Sequence, residues 1–287
     1  MASEERDLSR STLKLVGALI AAVWNAADDR HLGLIAAGVA FYGLFAIFPG
    51  IAATIALWGY FSDPAVILSY LDTLSEFIPA DAFSLLESQV KALVASNVST
   101  LGWTSALSLL VALYSARAGV AALIQGLNAI YMRPQRDGLM RFLRAVLLTF
   151  VLIAVVLAAL ATVIFVPVAL AFVPLGPVGG WLVTALPWIV LFIVVLGMIG
   201  MFYRYGPNRP SARGHWVSPG ALLAALLWAG ASVAFSLYLA NFGTYNKIYG
   251  SIGAVVALLM WFYISAYTVL LGAAVNAELS RMLGGDQ

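Results

Sequence analysis

Arg117 is a guanidinium set inside an apolar run, Leu101–Ile124, and any chemistry of this chain has to begin with it. A charge at bilayer depth costs about 2.5–3.5 kcal/mol on insertion scales, so it must face protein, water or a counter-charge. At 1.5 Å per residue it lies roughly 12 Å from the nearer end of a helix through this run. Tyr114, Arg117, Ala121, Gln125 and Asn128 recur at i, i+3, i+7, i+11 and i+14, one polar stripe on one helix face. Ser265, Thr268, Gly272 and Asn276 form a comparable stripe late in the chain. Two such faces would line a cavity open to one side of a membrane. The alternative is structural: Arg117 snorkels to headgroups or bonds carbonyls at a kink, while the small and hydroxyl residues let helices pack closely. Glu278 is expected to form a local surface pair with Arg281 rather than to bond Arg117.

A second polar group runs from Asn241 to Ser251. Tyr245 and Tyr249 suit interfacial anchors. Asn241, Asn246, Lys247 and several glycines read as a tight polar turn at the outer face, where Tyr245, Asn246, Lys247 and Tyr249 would contact an anionic headgroup, through Lys247, or shut an outer gate. Catalytic constellations are missing. The two histidines, His31 and His215, are far apart, and no HExxH, P-loop or Gly-x-Ser-x-Gly motif occurs. No cysteine is present, which removes disulfides, thiolate catalysis and Cys-ligated metals. The reading is therefore of a protein that is not an enzyme and takes no cofactor or metal. A net charge of +2 also gives no reason to expect nucleic acid as a partner.

Six apolar segments must position these residues. The chain is 63% hydrophobic and 10% charged, where soluble domains carry about 25% charged residues. Several apolar runs exceed the roughly 20 residues that cross a bilayer as a helix, and they lack the alternation of barrel strands. The expected fold is all-α: a single integral membrane domain, 1–287, with spans at 34–60, 101–124, 145–167, 181–203, 217–240 and 251–277. Residues 11–29 are expected to form an amphipathic interfacial helix, with Leu13, Val16, Ile20, Trp24 and Ala27 on one face. Residues 61–99 read as amphipathic extracytoplasmic helices broken at Pro79. Pro49 predicts a kink in the first span. Pro167, Pro174 and Pro177 predict a break near the outer end of the third.

Charge fixes the expected orientation. With the N-terminus inside, the inner segments hold Arg6, Arg10, Lys14, Arg30, Arg117, Arg133, Arg136, Arg141, Arg144, Arg204, Arg209, Arg213 and Arg281, which is 13 of the 15 basic residues. Only Lys91 and Lys247 fall outside, so both termini are expected in the cytoplasm.

Several stretches resemble the YihY/BrkB family of bacterial inner-membrane proteins. They are Ala40–Pro49 (AFYGLFAIFP), Ser115–Gly119 (SARAG), Leu127–Tyr131 (LNAIY), Pro219–Leu222 (PGAL), Phe235–Tyr238 (FSLY), Tyr245–Ser251 (YNKIYGS) and Leu271–Glu278 (LGAAVNAE). The resemblance implies a six-helix protein of the bacterial cytoplasmic membrane, linked to envelope integrity and serum resistance. The family has also carried a ribonuclease label. This sequence gives that label no support, lacking an acid cluster, a histidine pair and a basic RNA-binding domain. The functional expectation is a transporter or flippase-like permease for a lipid or other amphiphile, with membrane lipids as partners. The alternative is a non-transporting scaffold that supports the envelope.

Overall fold

The computed structural model describes residues 2–61, 98–135, 138–171, 179–208, 216–240 and 243–284. Among the described residues there are seven helices and no strand: α1 (Ala2–Asp29), α2 (Leu32–Phe61), α3 (Val98–Ile130), α4 (Gly138–Ala171), α5 (Gly179–Tyr205), α6 (Pro219–Ala240) and α7 (Gly243–Met282). Helices α2 to α7 each contain a window long and apolar enough to cross a membrane, six candidate spans among the described residues. Lipid cannot hydrogen-bond a stray amide, so long uninterrupted helices are the economical answer for such segments.

Several boundaries differ from the sequence reading. The first helix begins at Ala2 rather than at residue 11. Helix α3 continues to Ile130, six residues beyond the hydropathic edge at Ile124, because Leu127 and Ile130 are fully buried between its polar positions. Arg117 is consequently 13 rises from the end of the helix, roughly 20 Å rather than 12 Å. Helix α4 passes through Pro167 without ending, and α2 contains Pro49 internally. The polar stretch 243–250 is the first two turns of α7, not a tight turn. The proposed extracytoplasmic helices, apart from their edges, lie outside the described residues, as do Pro174, Pro177 and Asn241.

The chain divides into two compact units. One comprises Met1–Gly38, Val120–Val233 and Tyr263–Gln287. Its centre holds Leu32, Leu127, Ile130, Ile199 and Leu270, and α4 packs on α5 within it. Ala36, Ala145, Ala221, Ala224, Ala225, Ala273 and Ala274 are fully buried as well. Small residues let backbones approach, and dispersion then replaces the hydrophobic drive that lipid does not supply. Helix α1 buries Val23 and Ala26 but leaves Val16, Ile20 and Trp24 exposed, Trp24 at 74%.

The other unit comprises Val39–Gly119 and Ala234–Phe262. In it, Gly119 of α3 faces the Tyr42 Cβ and Val39 carbonyl of α2, while Gly43 of α2 meets the Phe262 ring of α7. Each unit carries large exposed apolar side chains, Ile193 and Leu226 in the first and Leu237 in the second, as residues meant for acyl chains are.

Candidate functional site

A connected set of polar contacts is built on helix ends. Helix α3 stops in a Schellman arrangement: the Met132 amide donates to the Ala129 carbonyl at 3.2 Å, and the Arg133 amide donates to the Asn128 carbonyl at 2.9 Å. Met132 takes the left-handed conformation, φ 51°, at the position glycine usually fills. The Ile130 carbonyl is instead satisfied by two guanidiniums. Arg30 donates to it from Nη1 at 2.8 Å, and Arg281 from Nη2 at 3.3 Å. Cations at a helix C-terminus also complement its dipole.

Glu278 joins the two arginines. Its Oε1 accepts from Arg30 Nη2 at 3.2 Å and from Arg281 Nη1, and the residue is only 8% exposed. The expected Glu278–Arg281 pair is therefore present, but it is buried rather than superficial and is shared with a residue 248 positions away. Arg30 occupies the short α1–α2 turn, where His31 adopts φ 52°. The clasp thus ties together the α1–α2 turn, the end of α3 and the end of α7. A chain whose spans alternate in direction brings those three points to one side of the membrane.

A second set of bonds caps α6. Ser218 is the N-cap, its Oγ accepting the Ala221 amide at 3.2 Å, and Pro219 at N1 has no amide to satisfy. The remaining early donor, the Gly220 amide, is taken across the helix pair by Asn276 Oδ1 at 2.8 Å. Asn276 Nδ2 donates to Ser218 Oγ at 2.6 Å and closes the ring. This cross-cap requires backbone contact. A methyl on Gly272 would strike the Gly220 carbonyl, the Ala224 Cβ at 2.6 Å and the Tyr203 hydroxyl at 2.7 Å. Beside it, the Asn208 amide donates to Asn128 Oδ1 at 2.7 Å, fastening the loop after α5 to α3.

The residues expected to line a cavity are distributed as follows. Asn128, Thr268 and Asn276 have their polar groups engaged: Asn128 with Asn208, Thr268 with the Ser265 carbonyl at 2.9 Å, and Asn276 in the cap. The Ser265 hydroxyl accepts from Trp228 Nε1 at 3.1 Å. Tyr114 is 66% exposed, and Gln125 is exposed too. The Arg117 guanidinium lies over the Tyr114 ring, 5.3 Å from its centroid, and does not pair with Glu278 among the bonds the structure gives Glu278. Tyr245, Asn246, Lys247 and Tyr249 fall on the first turns of α7, with side chains outside the described residues. Sequence reasoning counted Arg30 only as an inner positive charge and passed over Asn208 and Ser218. Ser218-Pro219 was legible as a helix start; the distant partners carried no local signal.

The family profile described as virulence factor BrkB matches residues 23–287. The chain belongs to the BrkB family. Among its relatives, a ribonuclease-like protein, YfkH, of Bacillus subtilis (strain 168) is 29% identical over 250 residues, covering 85% of this chain and 89% of that protein. A UPF0761 membrane protein of Xanthomonas campestris pv. campestris (strain B100) is 30% identical over 275 residues, 90% of this chain. The match spans only 60% of that relative's length. One from Tolumonas auensis is 40% identical over 103 residues, 36% of this chain and 32% of that protein. No solved structure matches. In this BrkB-family chain two of the stretches that carry the resemblance, Pro219–Leu222 and Leu271–Glu278, meet in the α6 cap.

Proposed function

We propose that this membrane protein is a permease of flippase type for a lipid or other amphiphile. In this reading it sits in the bacterial inner membrane with both termini in the cytoplasm. The observation that carries the reading is the pairing of Arg117 with Tyr114 on α3. Arg117 falls near the middle of the apolar window Ala106–Ile130, and Tyr114, the ring under its guanidinium, is largely uncovered by protein. A cation at that depth beside an open face is suited to drawing a phosphate or similar headgroup into the apolar layer, where a charge-assisted bond is strong.

Helix α1 supports a membrane-surface role, since Val16, Ile20 and Trp24 face away from the protein while Lys14 and Asn25 lie on the polar side. Membrane lipids are the partners in this reading, and nucleic acid is not one. The ribonuclease-like name of YfkH is not carried over. Among the described residues no three His, Asp or Glu side chains gather into a metal-holding group, and the chain has no phosphate-binding P-loop to drive transport by nucleotide hydrolysis.

The test is reconstitution of the full chain in liposomes carrying a fluorescent headgroup-labelled phospholipid, with outer-leaflet label quenched by an impermeant reductant. Loss of inner-leaflet label should run several-fold faster than in protein-free vesicles and return to that baseline in Arg117→Gln, whose melting temperature serves as the folding control. Equal rates with and without protein, across anionic and zwitterionic lipids and lysolipids, would remove the proposal.

A further inference from the structure

The stretch from Arg141 to Arg213 carries five arginines: Arg141, Arg144, Arg204, Arg209 and Arg213. Of the five arginines, Arg204 has a built setting. It lies in the last turn of α5, where the apolar window Trp188–Tyr205 ends and the headgroup layer begins. Its guanidinium carbon is 5.5 Å from the Tyr205 ring centroid and 5.7 Å from that of Trp216. The two rings meet edge to face at 6.0 Å. Both remain substantially exposed, Tyr205 at 40% and Trp216 at 49%.

The setting is fixed rather than floppy. The Trp216 backbone rests directly on Gly200 of α5, where a methyl would collide with the Trp216 carbonyl. An arginine oriented by two aromatic faces presents its planar fork of N–H donors with less entropy to lose on binding. Exposed Tyr and Trp at a span end seat at the depth of lipid headgroups. Basic sites between spans on the cytoplasmic side of membranes take anionic headgroups.

We propose that Arg204, with Tyr205 and Trp216, forms a binding site for an anionic phospholipid in the leaflet on the side of the chain's termini. The guanidinium engages the phosphate, and the rings pack against the glycerol and upper acyl segments.

The experiment titrates the full-length protein in neutral detergent with phosphatidylglycerol and, separately, phosphatidylcholine, counting bound lipid by native mass spectrometry. Near an anionic surface each basic residue contributes about 1 kcal/mol, so Arg204→Gln should weaken phosphatidylglycerol binding roughly fivefold. Arg204→Lys should lose less, and Trp216→Phe, which keeps a ring face, should bind nearly as the parent does. Arg141→Gln, an exposed arginine that bonds Gln135 at 2.9 Å, should bind as the parent does. Millimolar inorganic phosphate should not compete. The site is refuted if Arg204→Gln binds within twofold of the parent, if Arg141→Gln loses as much, or if phosphatidylcholine binds equally well. Displacement by inorganic phosphate would refute the lipid assignment.

Discussion

Replacing Glu278 by Gln should destabilise the protein more than any neutralisation of a surface charge on this chain. The side chain keeps its shape and an acceptor oxygen, so packing is nearly unchanged. What is lost is the negative charge between two guanidiniums whose side chains are 12% and 28% exposed, the carboxylate itself being 11% exposed. Removing one partner of a buried ion pair costs about 3–5 kcal/mol, because the charge left behind stays desolvated. Here Arg281 reaches solvent in part and can turn outward, which argues for the lower end, about 3 kcal/mol.

Arg281→Gln should then cost about 1 kcal/mol, since Arg30 still neutralises Glu278 and caps Ile130. Arg30→Gln should fall between the two. The Glu278→Gln, Arg30→Gln double variant should be less damaged than the sum of the singles, since it leaves no unmatched pair of cations. The assay is thermal unfolding of the full chain in one detergent, followed by helical circular dichroism. For a chain of this size about 3 kcal/mol corresponds to roughly 6–12 °C. A Glu278→Gln melt within 1 °C of the parent would show that the clasp does not hold the α1–α2 turn to α3 and α7, and the reasoning would fail.

Two other substitutions probe the α6–α7 contact. Gly272→Ala should cost about 3 kcal/mol, the upper end for overpacking, because the obstructing Gly220 carbonyl belongs to backbone. Gly230→Ala, with nothing within 4 Å of the added methyl, should be neutral or mildly stabilising in the same melt, and equal effects at both sites would contradict the close approach. Asn276→Leu should remove about 2 kcal/mol by leaving the Gly220 amide without its acceptor, read as faster hydrogen exchange confined to the first turn of α6. Protection of that turn unchanged from the parent would mean that the cap is replaceable.

The spans themselves were legible because lipid imposes a one-dimensional rule: long apolar runs, each satisfying its own backbone. That rule reads residue by residue, so α2, α5 and α6 lie within a few residues of where hydropathy places them. It failed where tertiary burial outweighs local polarity. Gln125 and Asn128 mark an edge in hydropathy, yet α3 continues because Leu127 and Ile130 are buried beside them. Proline is a strong local breaker in water, but Pro167 sits inside α4, since fraying a helix in an apolar layer would strand more amides than the proline already does. The polar stripe ending at Asn276 was visible as a period of helical spacing, but spacing cannot distinguish a wet face from a capped helix end. Only the fold shows Asn276 turned to the Gly220 amide and Arg30 reaching Glu278 across 248 residues. Sequence alone determined that this chain crosses a membrane and which runs are apolar enough to do so, because solvation acts locally. The tertiary structure decided which polar groups answer one another, because a hydrogen bond depends on where two distant helix ends meet.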